Sequence, residues 1–221
     1  LHHQVDDPTL AELCNLAREL YISISIGSLA LKTDDADGRF ANRSFLINPM
    51  GEITGQYDKI HMFDVQISET ETYRESAGYR PGEKAVIADT ALGKIGMAVC
   101  YDMRFPLLAN ALAIAGAETL LYPAAFSPIT GAAHWHSLLR ARAIETGCYV
   151  IAAAQTGTHP TSGPKARTTY GHSLVVDPWG QVILDAGTDV GVYVFDVEMK
   201  NVAKARQKVP ALLNARPFKA P

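Results

Sequence analysis

The spacing of apolar residues divides the first part of the chain into one helix and three strands. Apolar positions between 8 and 20 recur at helical spacing, with Asp7 as a natural N-cap and Pro8 as a first helical residue. Isoleucines that alternate with polar residues then predict a strand from 22 to 31, broken or bulged at Gly27. Further strands over 40–47 and 53–57, separated by turn sequences, complete an antiparallel meander.

The centre of the chain has the pattern of a strand-helix-strand unit. A hairpin over 85–99 leads to Cys100, a helix runs from 106 to 115, and a strand follows over 118–122. A further helix over 134–146 precedes a buried strand over 149–154. Ligands in such sheets bind at the carboxyl ends of the strands, which places a site near Cys100 and the 123–133 loop.

The remaining segments predict a second meander and two long loops. The meander comprises strands over 172–177, 181–185 and 192–197, and a terminal helix follows over 198–208. The stretches 61–84 and 155–169 are predicted to be irregular, and long loops in compact domains are usually functional. Two sheets packed face to face, with helices on their outer faces, would bury all of these apolar patterns in a single domain over 1–221.

Composition restricts the classes of function. The 221 residues are 48% hydrophobic with a net charge of -3, so no basic surface for nucleic acid is indicated. No apolar run approaches the roughly 20 residues of a membrane span. Three widely spaced cysteines indicate reduced thiols in a cytoplasmic protein rather than a disulfide framework. The chain opens on Leu1 with neither an initiator methionine nor a signal pattern, so we expect it to be truncated at its N-terminus.

Candidate chemistry centres on Cys100 and Lys59. Each follows a predicted strand, and a thiol beside an ammonium group is suited to acyl transfer with a stabilised oxyanion. Cys14 and Cys148 lie in apolar patterns typical of core thiols. The two histidines at 134 and 136 point to different helix faces without an evident third ligand, so no metal site is predicted there.

Several blocks together resemble the nitrilase superfamily of carbon–nitrogen hydrolases, and most closely its Nit branch. They read YDKIHMFD at 57–64, RES at 74–76, VCYDMRFP at 99–106, HW at 134–135, YGHS at 170–173 and DPWG at 177–180. The resemblance implies a four-layer αββα sandwich that commonly forms dimers or larger homo-oligomers. It also implies cleavage of a small linear carboxamide, of the deaminated glutathione or 2-oxo dicarboxylate monoamide type, without metal or organic cofactor.

A Glu-Lys-Cys triad is implied by the same resemblance, with Lys59 and Cys100 at the matching positions. Its glutamate belongs to an early strand that would precede Leu1, and Glu12 on the helix surface cannot replace it. Glu75 matches a second, structural or assisting glutamate of such enzymes. The implied reaction passes through a Cys100 thioester, with the oxyanion held by Lys59 and the backbone N–H of Tyr101. Without the first glutamate, we expect the chain as given to be a poor catalyst.

The substrate-binding residues form a second set of expectations. Arg104 is suited either to a substrate carboxylate or to an internal ion pair with Asp102. Phe126, His134 and Tyr170 are expected to line the pocket. The alternatives to an amidase are an N-carbamoyl-amide hydrolase, a non-catalytic metabolite-binding or partner protein, and a redox-sensing thiol at Cys100.

Overall fold

The helices and strands follow one another in an order close to the predicted one. The computed structural model describes residues 1–69, 71–161 and 166–219. Short 3-10 turns occupy Gln4–Asp6, Glu75–Ala77 and Cys100–Arg104. The longer elements are α1 (Pro8–Leu20), β1 (Ile24–Leu31), β2 (Phe40–Ile47), β3 (Ile53–Asp58), β4 (Asp64–Ser68), β5 (Glu71–Arg74), β6 (Tyr79–Arg80), β7 (Val86–Thr90), β8 (Gly93–Met97), α2 (Pro106–Ile114), β9 (Thr119–Leu121), α3 (Pro128–Thr146), β10 (Tyr149–Ala152), β11 (Thr156–His159), β12 (Arg167–Tyr170), β13 (Leu174–Val176), β14 (Val182–Asp185), α4 (Lys200–Lys208) and α5 (Ala211–Asn214).

The first sheet is the predicted antiparallel meander. It has the order β1-β2-β3, and the short β6 joins β2 in parallel. The register of β1 against β2 shifts between Ile26 and Leu29, which confirms the irregularity expected at Gly27. Helix α1 begins as predicted, because the carboxylate of Asp7 accepts a hydrogen bond of 2.9 Å from the N–H of Leu10. Its apolar face packs on one side of this sheet.

The second sheet contains six strands in the order β14-β13-β10-β9-β8-β7. Its central strands β8, β9 and β10 are parallel, and antiparallel strands flank them. Helices α2 and α3 cover one face, and their buried side chains form the largest core with those of the sheet, including Leu112, Leu120, Trp135, Leu139 and Val150. Parallel strands need such crossover helices, which explains the predicted strand-helix-strand unit.

The two sheets pack against each other through a small apolar interface. Leu46 and Tyr57 of the first sheet contact a cluster on the second that includes Ala88 and Met97. Gly55 permits the close approach, because a Cβ atom there would lie 2.8 Å from the sulfur of Met97. The order of layers is therefore helix, sheet, sheet, helix, and the expected αββα sandwich is confirmed.

Four local predictions are wrong: two stretches predicted to be irregular, the start of one helix, and one strand. The stretch 61–84 contains the hairpin β4–β5 and strand β6, and 155–169 contains β11 and part of β12, although residues 162–165 lie outside the described part. Both hairpins are short and largely polar, so their apolar alternation is weak. Helix α3 begins at Pro128, six residues before the expected start. Thr130 and Gly131 in the first turn have low helix propensity, which hid the true start.

The predicted strand over 192–197 is not formed. This segment is extended but has no strand partner among the residues that the structure describes, and Val192 and Val194 are 94% and 89% exposed. Apolar alternation is a local pattern, whereas a strand also requires a neighbouring backbone. In the described ranges, no helix combines the length and the apolarity needed to cross a bilayer.

Candidate active site

Cys100 opens the turn that joins the second sheet to α2. It lies three residues after β8, in the 3-10 turn Cys100–Arg104, and its N–H donates a 2.9 Å hydrogen bond to the carbonyl of Pro123. Its φ is +51°, in the left-handed region that non-glycine residues seldom adopt. Such strain costs about 1–3 kcal/mol and is concentrated at functional sites. The backbone therefore supports Cys100 as the candidate nucleophile.

A cleft of about 910 Å³ runs beside Cys100. Of the predicted site residues, the cleft is lined by Lys59, Glu75, Cys100 and Phe126. The structure thus brings together the thiol, the lysine and the glutamate from three separate parts of the sequence. Polar residues that sequence reasoning missed also line it, among them Asn42, Arg74 and Arg167.

Glu75 holds the ammonium group of Lys59 in place. Lys59 is 3% exposed, and its Nζ donates to Oε2 of Glu75. The same carboxylate accepts 2.9 Å from the Nδ2 of Asn42 and 2.6 Å from the N–H of Phe63. A buried charge requires such partners, because desolvation would otherwise penalise it. The hairpin β4–β5 returns the chain to this position, so the supposed loop builds part of the site.

A second buried carboxylate, Asp102, links the Cys100 turn to the Lys59 segment. Its Oδ2 accepts hydrogen bonds of 2.7 Å from the hydroxyl of Tyr57 and 2.8 Å from the N–H of Val99. Its Oδ1 lies 3.1 Å from the N–H and 2.7 Å from the Nδ1 of His61. Because Tyr57 and His61 flank the lysine, these bonds fix the position of Lys59 relative to Cys100.

The protonation of Cys100 is set by opposing effects. Burial raises the pKa of the thiol above its ordinary value, while the charge of Lys59 and a hydrogen bond from the backbone N–H of Ala125 lower it. The negative charges of Glu75 and Asp102 raise it further. The net shift is upward, so the resting sulfur is a thiol and attack on a substrate requires removal of its proton.

Three predicted site residues form a neighbouring cluster outside the set that lines the cleft. The Nη2 of Arg104 lies 3.1 Å from the Nδ1 of His134, and its guanidinium lies over the rings of Tyr101 and Phe126 at 5.9 and 5.6 Å. In the described structure no ion pair joins Arg104 to Asp102, so the internal ion pair weighed for Arg104 is not formed. The roles predicted for Tyr101, Arg104 and His134 stay predictions.

Tyr170 also lies outside the lining set. Its ring stacks on His172 at 4.5 Å and packs over Gly131, where a Cβ atom would lie 2.3 Å from the tyrosine Cγ. Glycine at 131 thus lets β12 approach α3 closely. The packing of Tyr170 on Gly131 and His172 is a structural role, and its contact with substrate stays a prediction.

The fold and the site define a class, and comparison with known proteins establishes it. The family model for carbon-nitrogen hydrolases matches residues 2–207, so the chain belongs to the carbon-nitrogen hydrolase family. The predicted class of enzyme, an amidase of the nitrilase type that cleaves carbon–nitrogen bonds, is confirmed.

Particular relatives are similar along most of the chain. It is 42% identical over 212 residues to deaminated glutathione amidase of Yersinia enterocolitica, covering 96% of this chain and 73% of the relative. It is 43% identical over 211 residues to the human protein of the same name, covering 94% of this chain and 63% of that protein. The NitFhit protein of C. elegans superposes with a TM-score of 0.84 at 37% identity, covering 96% of this chain and 50% of that one. The chain thus spans about two thirds of the length of these amidases.

Proposed function

We propose that the site cleaves the C–N bond of a small, linear, anionic carboxamide, of the deaminated glutathione or 2-oxo dicarboxylate monoamide type. The observation that carries this proposal is the convergence of Cys100, Lys59 and Glu75 on one cleft. The names of the relatives at about 42% identity support deaminated glutathione as the first substrate to test. An N-carbamoyl amide is the competing substrate within the same class.

The reaction proceeds through a thioester. A general base takes the thiol proton of Cys100, the sulfur attacks the carboxamide carbon, and the carbonyl oxygen becomes an oxyanion beside the ammonium of Lys59. The backbone N–H of Tyr101 is the predicted second donor. The C–N bond then breaks, and the nitrogen leaves with a proton as an amine or ammonia. Water attacks the thioester, releases the carboxylic acid and returns the thiol.

Two arginines support an anionic substrate. Arg74 and Arg167 line the cleft, and the Nη2 of Arg167 lies 3.3 Å from the carbonyl oxygen of Ala125. The N–H of Ala125 donates to the thiol of Cys100. The guanidinium of Arg167 therefore binds the same residue, Ala125, that contacts the nucleophile. Guanidinium groups bind carboxylates in a bidentate manner, and deaminated glutathione retains both carboxylates of glutathione. Arg167 is thus better placed than Arg104 for this task.

One observation favours a second candidate, a metabolite-binding protein with little turnover. Glu75 is the carboxylate among the described cleft residues, and both of its oxygens are engaged by Lys59, Asn42 and Phe63. It positions Lys59 and is not free to accept the proton of Cys100. A chain without a further base would therefore bind the amide, or acylate once and hydrolyse slowly.

Intact-mass measurement with a panel of amides separates these candidates. Deaminated glutathione, a 2-oxo dicarboxylate monoamide and an N-carbamoyl amide are incubated with the chain, with Cys100→Ala and with the control Cys148→Ala. The control thiol is fully buried behind Arg206. The proposal expects an acyl adduct and release of amine or ammonia that are lost only in Cys100→Ala. Undiminished release in that variant refutes the nucleophile, and saturable binding without an adduct identifies the metabolite binder.

We also infer that the chain self-associates and acts in the cytoplasm. Leu107 and Ile114, seven positions apart on α2, are 82% and 68% exposed, and they form an apolar face that a second copy would cover. All three cysteines are free thiols, as a reducing compartment favours. Light scattering of the purified chain tests self-association, and a monomer at micromolar concentration contradicts it.

A further inference from the structure

A second cluster of polar side chains lies where three separate elements meet. His136 projects from α3, His172 precedes β13, and Asp185 ends β14. The Nε2 of His136 lies 2.8 Å from Oδ2 of Asp185, and the Nδ1 of His172 lies 2.9 Å from Oδ1. One donor atom from each of the three residues lies within 4.8 Å of the other two. A third ligand was not evident from the sequence, because the partners of His136 follow 36 and 49 positions later.

The backbone around His172 is held in a demanding conformation. Its φ of +57° lies in the left-handed region, which costs a non-glycine residue about 1–3 kcal/mol. Its N–H donates 2.6 Å to the carbonyl of Gly187, and its own carbonyl accepts 2.8 Å from the indole N–H of Trp135. The N–H of Gly187 also donates 2.9 Å to Oδ1 of Asp185. Surrounding groups thus orient both ligands, as outer-shell partners do in metal sites.

The cluster is accessible and has a suitable donor set. The side chains of His136, His172 and Asp185 are 36%, 24% and 33% exposed, so an ion can enter from solvent and keep water on its open positions. Two imidazoles and one carboxylate suit late first-row divalent cations, and Zn²⁺ accepts three such ligands plus water. When an ion binds, the imidazole nitrogens that now donate an N–H to Asp185 would give up that proton, either to the other ring nitrogen or to solvent.

We propose that His136, His172 and Asp185 form a binding site for a divalent late first-row cation, with Zn²⁺ as the representative ion. The ion would join α3 to the β13–β14 hairpin through three side chains. His172 is followed by Ser173, which lines the cleft and donates to the carbonyl of Ala154. Occupancy therefore stabilises one wall of the cleft without touching the nucleophile, and the proposal is independent of the proposed amidase reaction.

Zinc titration of the full chain by calorimetry tests the proposal. The titration uses a His2→Gln/His3→Gln background to remove two other histidines near the terminus. We expect one equivalent of Zn²⁺, and an affinity that falls at least about 100-fold in Asp185→Asn and in His136→Gln, because even outer-shell changes cost about 10- to 100-fold. The matched control, His134→Gln, removes a histidine two positions away on the same helix and should bind as before.

Two further measurements keep the test decisive. Zn²⁺ should raise the unfolding temperature of the parent and of His134→Gln but not of Asp185→Asn, whose circular dichroism reports whether it is folded. Co²⁺ should give ligand-field bands without thiolate-to-metal charge transfer, because the three ligands contain no sulfur. The proposal is overturned by absence of Zn²⁺ binding, by equal affinity in all variants, or by a thiolate band. The cluster would then have only a structural role, as a set of hydrogen bonds between α3 and the β13–β14 hairpin.

Discussion

Asp102 and its hydrogen bonds to Tyr57, Val99 and His61, here called the Asp102 clamp, join the Cys100 turn to the Lys59 segment. Replacing Tyr57 with phenylalanine removes one buried hydroxyl from this clamp. That hydroxyl donates 2.7 Å to Asp102 and accepts 3.2 Å from the N–H of Ile60. Burial and the charge of Asp102 raise the pKa of Tyr57, so the hydroxyl keeps its proton and remains a donor. Tyr57→Phe leaves the ring in place, which confines the perturbation to these two hydrogen bonds.

The expected loss of stability is about 3 kcal/mol. A hydrogen bond to a charged group contributes about 1.5–3 kcal/mol, and the N–H of Ile60 would lose its acceptor at a further cost of about 1 kcal/mol or more. Urea unfolding measures the change from the midpoint at constant m. Turnover should fall with stability, because Asp102 would hold the Lys59 segment through fewer bonds.

Tyr122→Phe is the matched control. Tyr122 is as fully buried as Tyr57, but its hydroxyl has no hydrogen-bond partner in the part of the chain that the structure describes. Removing a buried polar group without a partner should be neutral or stabilise by about 1 kcal/mol. Equal losses in the two variants would refute the reasoning, since they would show that ring packing and not the Asp102 bond determines the effect.

Four further predictions concern the cleft and its surroundings. Glu75→Gln should lower kcat about 100-fold with a smaller change in KM, because Lys59 loses its charged partner, and an effect on KM alone would contradict this. Alkylation of Cys100 by iodoacetamide, followed by peptide mass spectrometry, should rise with pH about a midpoint above that of free cysteine, because burial raises the thiol pKa. Lys59→Met should move that midpoint further upward, and a downward shift would refute the role of the ammonium charge. Gly131→Ala should cost about 1–3 kcal/mol in urea unfolding through its clash with Tyr170, and unchanged stability would show that β12 can move away.

The elements with strong periodicity were predictable. The bounds of α1 and β2 follow from helical and alternating patterns together with a capping Asp7, which are local properties of the chain. The parallel unit around Cys100 follows from strand, helix and glycine signals. Lys59 reaches the same cleft from the end of β3, in the other sheet. The role of Glu75 came only from family resemblance, because one charge in a polar stretch has no distinguishing local pattern.

The parts that escaped prediction depend on contacts between distant segments. Tyr57 meets Asp102 across 45 positions, and His136 meets Asp185 across 49. Arg167 reaches Ala125 from a hairpin whose threonine-rich strands carry little apolar alternation. A single sequence does not show which distant residues pair. Neither the Asp102 clamp nor the cationic lining of the cleft could therefore be derived from it.

In the proposed reaction, the chemical and the substrate-selecting residues belong to different architectural units. Lys59 and Cys100 are held by the buried Asp102 clamp at the interface of the two large sheets. Arg74 and Arg167 belong to two-stranded hairpins that, among the residues the structure describes, pair with neither large sheet. Mutations in the β11–β12 hairpin can therefore accumulate without disturbing Lys59 and Cys100, whereas mutations in β4–β5 would displace Glu75, which holds Lys59. Such a division gives evolution a means to change which amide is accepted while the bond-breaking machinery is inherited intact.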